Sequence, residues 1–178
     1  MRDAPRETSR SIRDRTPALS PPGRLLRPDE LAATAATIAA RPAMWRHLVD
    51  ANPSRREYES LYVDEHLGVW VIAWMPGHDT GFHDHDASCG GVAVAEGTIR
   101  EQRPVLDGPA RTIDPVAGGS FCFDADEIHR MVNVSDAPAI TIHAYSLPLK
   151  RMGAYRVEAD GSVRRRAIGW DTRLEPGC

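Results

Sequence analysis

From about Tyr58 onward, apolar residues alternate with polar ones or cluster in short runs bounded by Gly, Pro, Asp and Asn. Segments 61–63, 68–74, 90–97, 98–105, 110–116, 120–125, 129–134, 137–147, 155–159 and 163–170 read as strands, a spacing with regular turns that predicts an all-β sandwich or barrel. The preceding stretch has a different period. Residues 28–50 read as helical: Pro28 suits a first turn, Asp29 and Glu30 complement the helix dipole, and Leu31, Ala35 and Ile38 fall on one face. Pro42 interrupts this helix, and a second short helix is expected over 44–50. Residues 1–23 are rich in Arg, Pro and Ser, so a mobile arm is expected there, followed by one domain over 24–178.

Composition narrows the function classes. The chain has 178 residues, 42% hydrophobic and 26% charged, which fits one globular domain. A formal net charge of −3 gives no basic footprint for nucleic acid, and Arg164, Arg165 and Arg166 read as a solvated strand face. No apolar run reaches membrane-spanning length, and the N-terminus lacks the apolar stretch of a secretory signal. Three cysteines do not make a disulfide framework. A reduced, cytoplasmic protein is expected, monomeric or a small homo-oligomer, binding neither nucleic acid nor membrane.

The chemistry lies in the histidines. His83 and His85 stand at i and i+2, which on a strand places both imidazoles on one face. Two converging imidazoles make a metal site a candidate, against the alternative of a polar strand edge. The order Gly77, His83, His85, Gly90, Gly97 and then Gly118, His129, Asn133 resembles the two cupin motifs, and implies a jelly-roll barrel with His129 as a third ligand. The usual glutamate position of the first motif holds Gly90, and two usual Pro and Gly positions of the second hold Asp124 and Asp126. Three imidazoles without a carboxylate leave open positions and can accept an anionic ligand such as a thiolate. Zinc also accepts three histidines, so these residues alone leave the metal open.

The segment His129-Arg130-Met131-Val132-Asn133-Val134-Ser135, followed by Thr141-Ile142-His143-Ala144-Tyr145, resembles the C-terminal half of the cysteine dioxygenase family. With the segment around His83 and His85, the resemblance covers roughly residues 56–155. It implies an Fe(II)-dependent thiol dioxygenase that adds both atoms of O2 to the sulfur of a small thiol, giving a sulfinic acid. Thr141, His143 and Tyr145 share one strand face, so Thr141 can bond one nitrogen of His143 and Tyr145 the other. That relay would hold Tyr145 toward the metal.

Two departures from the family bear on its chemistry. Animal-type members cross-link a cysteine after the HxH pair to the active-site tyrosine. Here Gly90 holds that place, and Cys89, one residue earlier, should face the opposite side. Cysteine-using members also place an arginine two residues after a tyrosine to bind the substrate carboxylate, and here Tyr58 is followed by Ser60. Serine cannot replace a bidentate guanidinium. The expected anchor is therefore Arg151 or Arg156, as in mercaptopropionate-type relatives. A larger thiol, such as a thiolated histidine derivative like ergothioneine, could instead use volume freed at Ser60 and an aromatic wall of Trp70, Trp74 and Tyr62. Other readings are cysteine dioxygenase proper, a three-His cupin dioxygenase that cleaves a C–C bond, and a non-catalytic metal-binding cupin.

Overall fold

The computed structural model describes residues 22–105 and 108–169; most of the expected N-terminal arm, Cys178 and the end of the last strand segment lie outside them. Pro28–Ala39 forms α1, and its apolar stripe of Leu31, Ala35 and Ile38 is buried. The Glu30 side chain accepts the Arg27 amide at 2.9 Å, closing the first turn. The second helix expected over 44–50 is not formed. A single 3-10 turn over Pro42–Met44 stands in its place. The Trp45 side chain is fully buried, and its indole N–H lies 3.1 and 3.3 Å from the Ile38 and Ala39 carbonyls at the end of α1. Docking that indole under α1 turns the chain away from a continued helix.

Eleven strands follow among the described residues: β1 (Glu57–Val63), β2 (Gly68–Trp74), β3 (His83–Asp84), β4 (Cys89–Glu96), β5 (Arg100–Arg103), β6 (Arg111–Ile113), β7 (Ser120–Phe123), β8 (Arg130–Val132), β9 (Ala139–Ser146), β10 (Arg151–Val157) and β11 (Val163–Gly169). Each predicted strand segment overlaps one of them, and β3 lies outside all of the predicted segments. They pair as a five-stranded sheet in the order β1-β2-β9-β4-β7 and two three-stranded sheets, β11-β10-β3 and β6-β5-β8. This is the expected all-β cupin barrel with a helix at its N-terminal end.

The five-stranded sheet is covered on one side by α1 and on the other by the barrel interior. Ile140, Ile142 and Ala144 of β9 join Leu31, Ala35, Ile38 and Trp45 in one apolar cluster. Contact between helix and sheet is close at Gly91, where any Cβ would overlap the α1 backbone at Leu31 and Ala32. Val92, Val94, Ile99, Phe123 and Met131 form a second cluster inside the barrel. Among the described residues no helix is long and apolar enough to cross a membrane.

Candidate functional site

His83 and His85 leave β3 on the same side, as their spacing requires, and Asp84 between them faces the other way. Asp84 accepts Arg165 Nε and Nη2 at 2.6 and 2.8 Å, the Tyr155 hydroxyl at 2.7 Å and the Gly153 amide at 3.1 Å. The Arg165 and Tyr155 bonds hold this carboxyl well below its usual range against the opposing effect of burial. The HxH pair is thus clamped from behind to β10 and β11.

His129 arrives from a distant part of the chain. Its main chain exchanges two hydrogen bonds with His83, N to O at 2.8 and 2.9 Å, forming an isolated antiparallel bridge. The three ring centroids stand 4.6–5.0 Å apart, and one nitrogen from each ring lies within 4.8 Å of the others. All three residues are buried, and burial lowers each imidazole's pKa, that of His83 to about 4, so they are neutral at physiological pH.

The outer nitrogens are bonded on two of the rings. His83 Nδ1 donates to the Gly81 carbonyl at 3.1 Å, and His129 Nδ1 to Glu101 Oε1 at 3.2 Å. Glu101 is 3% exposed; burial raises its pKa, and Arg103 at 2.7 Å opposes that rise. His129 Nε2 and His85 Nδ1 are buried with no hydrogen-bond partner among the described residues. Neutral imidazoles, orphaned ring nitrogens and a carboxylate behind one ligand suit a bound transition metal. Glu101 escaped the sequence analysis because its strand reads Arg-Glu-Gln-Arg. The available signal was parity with Ile99, two residues earlier and fully buried.

Beside the three histidines, β9 carries its polar row. Thr141 Oγ1 lies 2.8 Å from His143 Nε2, and His143 Nδ1 lies 3.1 Å from the Tyr145 hydroxyl. The structure extends this row by one group: Trp74 Nε1 donates to Thr141 Oγ1 at 2.8 Å. An indole can only donate, so the Thr141 hydroxyl is free to give its own proton to His143 Nε2. His143 then carries its proton on Nδ1, toward Tyr145, and the phenol proton is left for another acceptor. Burial keeps the imidazole neutral, with a pKa lowered to about 3, and pushes the phenol's up.

Gly90 pairs with Tyr145, and a Cβ at Gly90 would overlap the Phe123 ring. Phe123 stacks on His85 at 4.4 Å and fills the space where a cross-linking cysteine would sit. The Cys89 thiol lies 3.0 Å from the Ser146 carbonyl and packs with the helix-side cluster.

A cavity of about 90 Å³ opens on the site. His83, His129, His143 and Tyr145 line it together with Tyr58 and with Trp70 and Trp74 of the expected aromatic wall. Four other expected contacts lie elsewhere. Ser60 borders a neighbouring groove that His85 also lines, with Trp70 and Leu149 shared by both spaces, so Ser60 is not on the wall that carries His83 and His129. Arg151 also borders that groove, exposed and paired with Asp86 at 2.9 Å, while Arg156 is exposed and paired with Glu158 at 2.9 Å. Neither residue lines the cavity. Tyr62 bonds Asp64 at 2.7 Å and packs on the helix side. The one arginine on the cavity wall among the described residues is Arg56, which the sequence analysis did not select.

With this geometry in hand, comparison with known proteins gives consistent results. The profile of the family described as cysteine dioxygenase type I matches residues 23–158. The curated proteins called cysteine dioxygenase type 1 from Rattus norvegicus and Mus musculus are each 25% identical over 141 residues, covering 71% of this chain and 68% of theirs. Among solved structures, a protein from Thermus thermophilus aligns with TM-score 0.52 at 18% identity, over 58% of this chain and 93% of its own. A Klebsiella pneumoniae protein described as having a double-stranded beta-helix domain aligns with TM-score 0.50 at 13% identity, over 67% of this chain and 91% of its own. The two structures share the fold.

Proposed function

Since the chain belongs to the cysteine dioxygenase type I family, we propose that it is a non-haem Fe(II) thiol dioxygenase converting a small thiol and O2 into the corresponding sulfinic acid. The reaction balances without a further reductant, because both oxygen atoms end on the sulfur. The observation that carries this reading is the convergence of three neutral, buried imidazoles, two of them on the cavity wall, beside the Thr141–His143–Tyr145 row.

His83, His85 and His129 would hold the iron, with Gly81 and Glu101 fixing the tautomers of the first and third. Iron supplies the electronic chemistry that lets O2 react with a thiol. The protein's residues do the rest. The apolar walls of Ile72, Met131, Leu149 and Met152 keep bulk water from the reacting sulfur. Tyr145, held by His143, offers its phenol proton to an acceptor in the cavity and stays protonated because burial raises its pKa. The Trp74 and Thr141 bonds stop the His143 ring from rotating.

The test is O2 consumption by the iron-loaded protein with a panel of thiols, and mass analysis for a product two oxygen atoms heavier. Thiol-dependent uptake of one O2 per sulfinate is expected; no uptake with any small thiol overturns the proposal.

A further inference from the structure

Ser60 stands where the family's arginine is found, and neither Arg151 nor Arg156 lines the cavity, so the substrate's polar end needs another anchor. The walls of the cavity supply a different one. Among the described residues lining it, Arg56 is the only side chain carrying a full charge. Arg56 directly precedes β1 and shares strand parity with Tyr58, whose ring also lines the cavity. Two residues further on, the same parity carries Ser60 past Trp70 and into the adjoining groove. The cationic position is therefore moved by four residues along one face of the chain.

The guanidinium of Arg56 is held in place. Its Nη1 donates to the main-chain carbonyl of Asp79, and its Cζ lies 5.2 Å from the centre of the Trp74 ring. The Asp79 carboxylate is engaged by a different arginine, Arg130, whose Nε lies 2.9 and 3.1 Å from its two oxygens. Asp79 thus engages two arginines, Arg130 through its carboxylate and Arg56 through its carbonyl, and the Arg56 charge is the one that lines the cavity. That charge is felt at the site: it contributes to the lowered pKa of both His83 and His143.

We propose that Arg56 anchors the anionic end of the thiol substrate, and that the cavity selects a mercaptocarboxylate over an aminothiol. This rests on the thiol dioxygenase reading and adds the substrate's charge. A carboxylate gains a planar guanidinium in an apolar enclosure, where such a pair is strong. An ammonium group meets a like charge and no carboxylate on the described wall, and loses its hydration without replacement. Cysteine carries both groups and should fall between the two extremes.

The experiment compares 3-mercaptopropionate, its primary amide, L-cysteine and cysteamine on the iron-loaded protein and on its Arg56→Gln, Arg56→Lys and Arg156→Gln variants. Binding is read by calorimetry without O2, and turnover by O2 uptake. In the unmodified protein the acid should bind at least tenfold more tightly than its amide, and cysteamine should be the poorest ligand. Arg56→Gln should remove the acid's advantage over the amide, Arg56→Lys should keep part of it, and Arg156→Gln should leave it intact. Equal binding of acid and amide by the unmodified protein overturns the proposal even where a variant fails to fold. So does an acid preference that survives in folded Arg56→Gln. Absence of thiol-dependent O2 uptake with acid-selective binding preserved would overturn the dioxygenase reading and leave Arg56 as the anion anchor.

Discussion

The two faces of β9 solve different problems with alternate residues of one strand. Its helix-side row, Ile140, Ile142 and Ala144, is apolar and packs against α1. Its barrel-side row, Thr141, His143 and Tyr145, is polar and linked side chain to side chain. Every residue of the strand is buried, so burial does not distinguish the rows. Satisfaction does. The helix-side row brings no side-chain polar atom and needs only close packing, whereas each polar atom of the inner row has a named partner. β4 repeats the division: Cys89, Ala93 and Ala95 face the helix side, and Val92 and Val94 face the barrel. One face supplies stability, and the other spends burial on holding chemical groups in fixed protonation states.

Substitutions on the two faces should therefore fail differently. The largest effect is expected at the metal centre: His83→Ala should lose both bound iron and O2 uptake. Metal analysis checks this, and full iron occupancy in the variant would remove His83 from the site. On the helix side, Ile142→Ala should cost about 2–5 kcal/mol of stability through the cavity it leaves. Chemical denaturation measures the loss, and kcat per folded molecule should change little.

Acid should act through the inner face. The histidines are neutral when folded, with pKa values near 4 for His83 and 3 for His143, below the ordinary unfolded value of about 6.5. Below pH 6.5 the unfolded chain takes up protons that the folded chain does not. Stability of the metal-free protein should fall from about pH 6.5 toward pH 4, by about 1.4 kcal/mol per pH unit for each such histidine, and these groups should contribute no slope above pH 7.5. Denaturation midpoints across that range would show it; a flat profile would mean that the imidazoles are charged or exposed.

Thr141→Val should lower kcat by roughly tenfold to a hundredfold, the scale expected for losing a partner that orients a site group. It leaves Trp74 Nε1 and His143 Nε2 without their shared partner, so a shifted pH profile should accompany the loss. The smallest effect is expected at Cys89, on the helix side of β4. Cys89→Ser should retain most of the activity, and the intact mass of the unmodified protein should show no loss of two hydrogens. A thioether that disappears in Cys89→Ser would show that the strand's two faces exchange.

Much of this division was legible in the sequence because it is local. A strand's period of two assigns His83 with His85, Thr141 with His143 and Tyr145, and Cys89 away from Gly90, without knowledge of the neighbouring strands. Helix periodicity likewise fixed the stripe Leu31, Ala35 and Ile38. Parity alone does not say which strand lies opposite. Glu101 behind His129, Trp74 on Thr141 and Phe123 in the space beside Gly90 depend on residues brought together from distant segments. So does the exchange between Ser60 and Arg56: both share one parity, and only the placement of Trp70 on the paired strand β2 sends one to the groove and leaves the other on the cavity wall. The backbone period decided which way each side chain points, and strand pairing with side-chain volume decided what it meets.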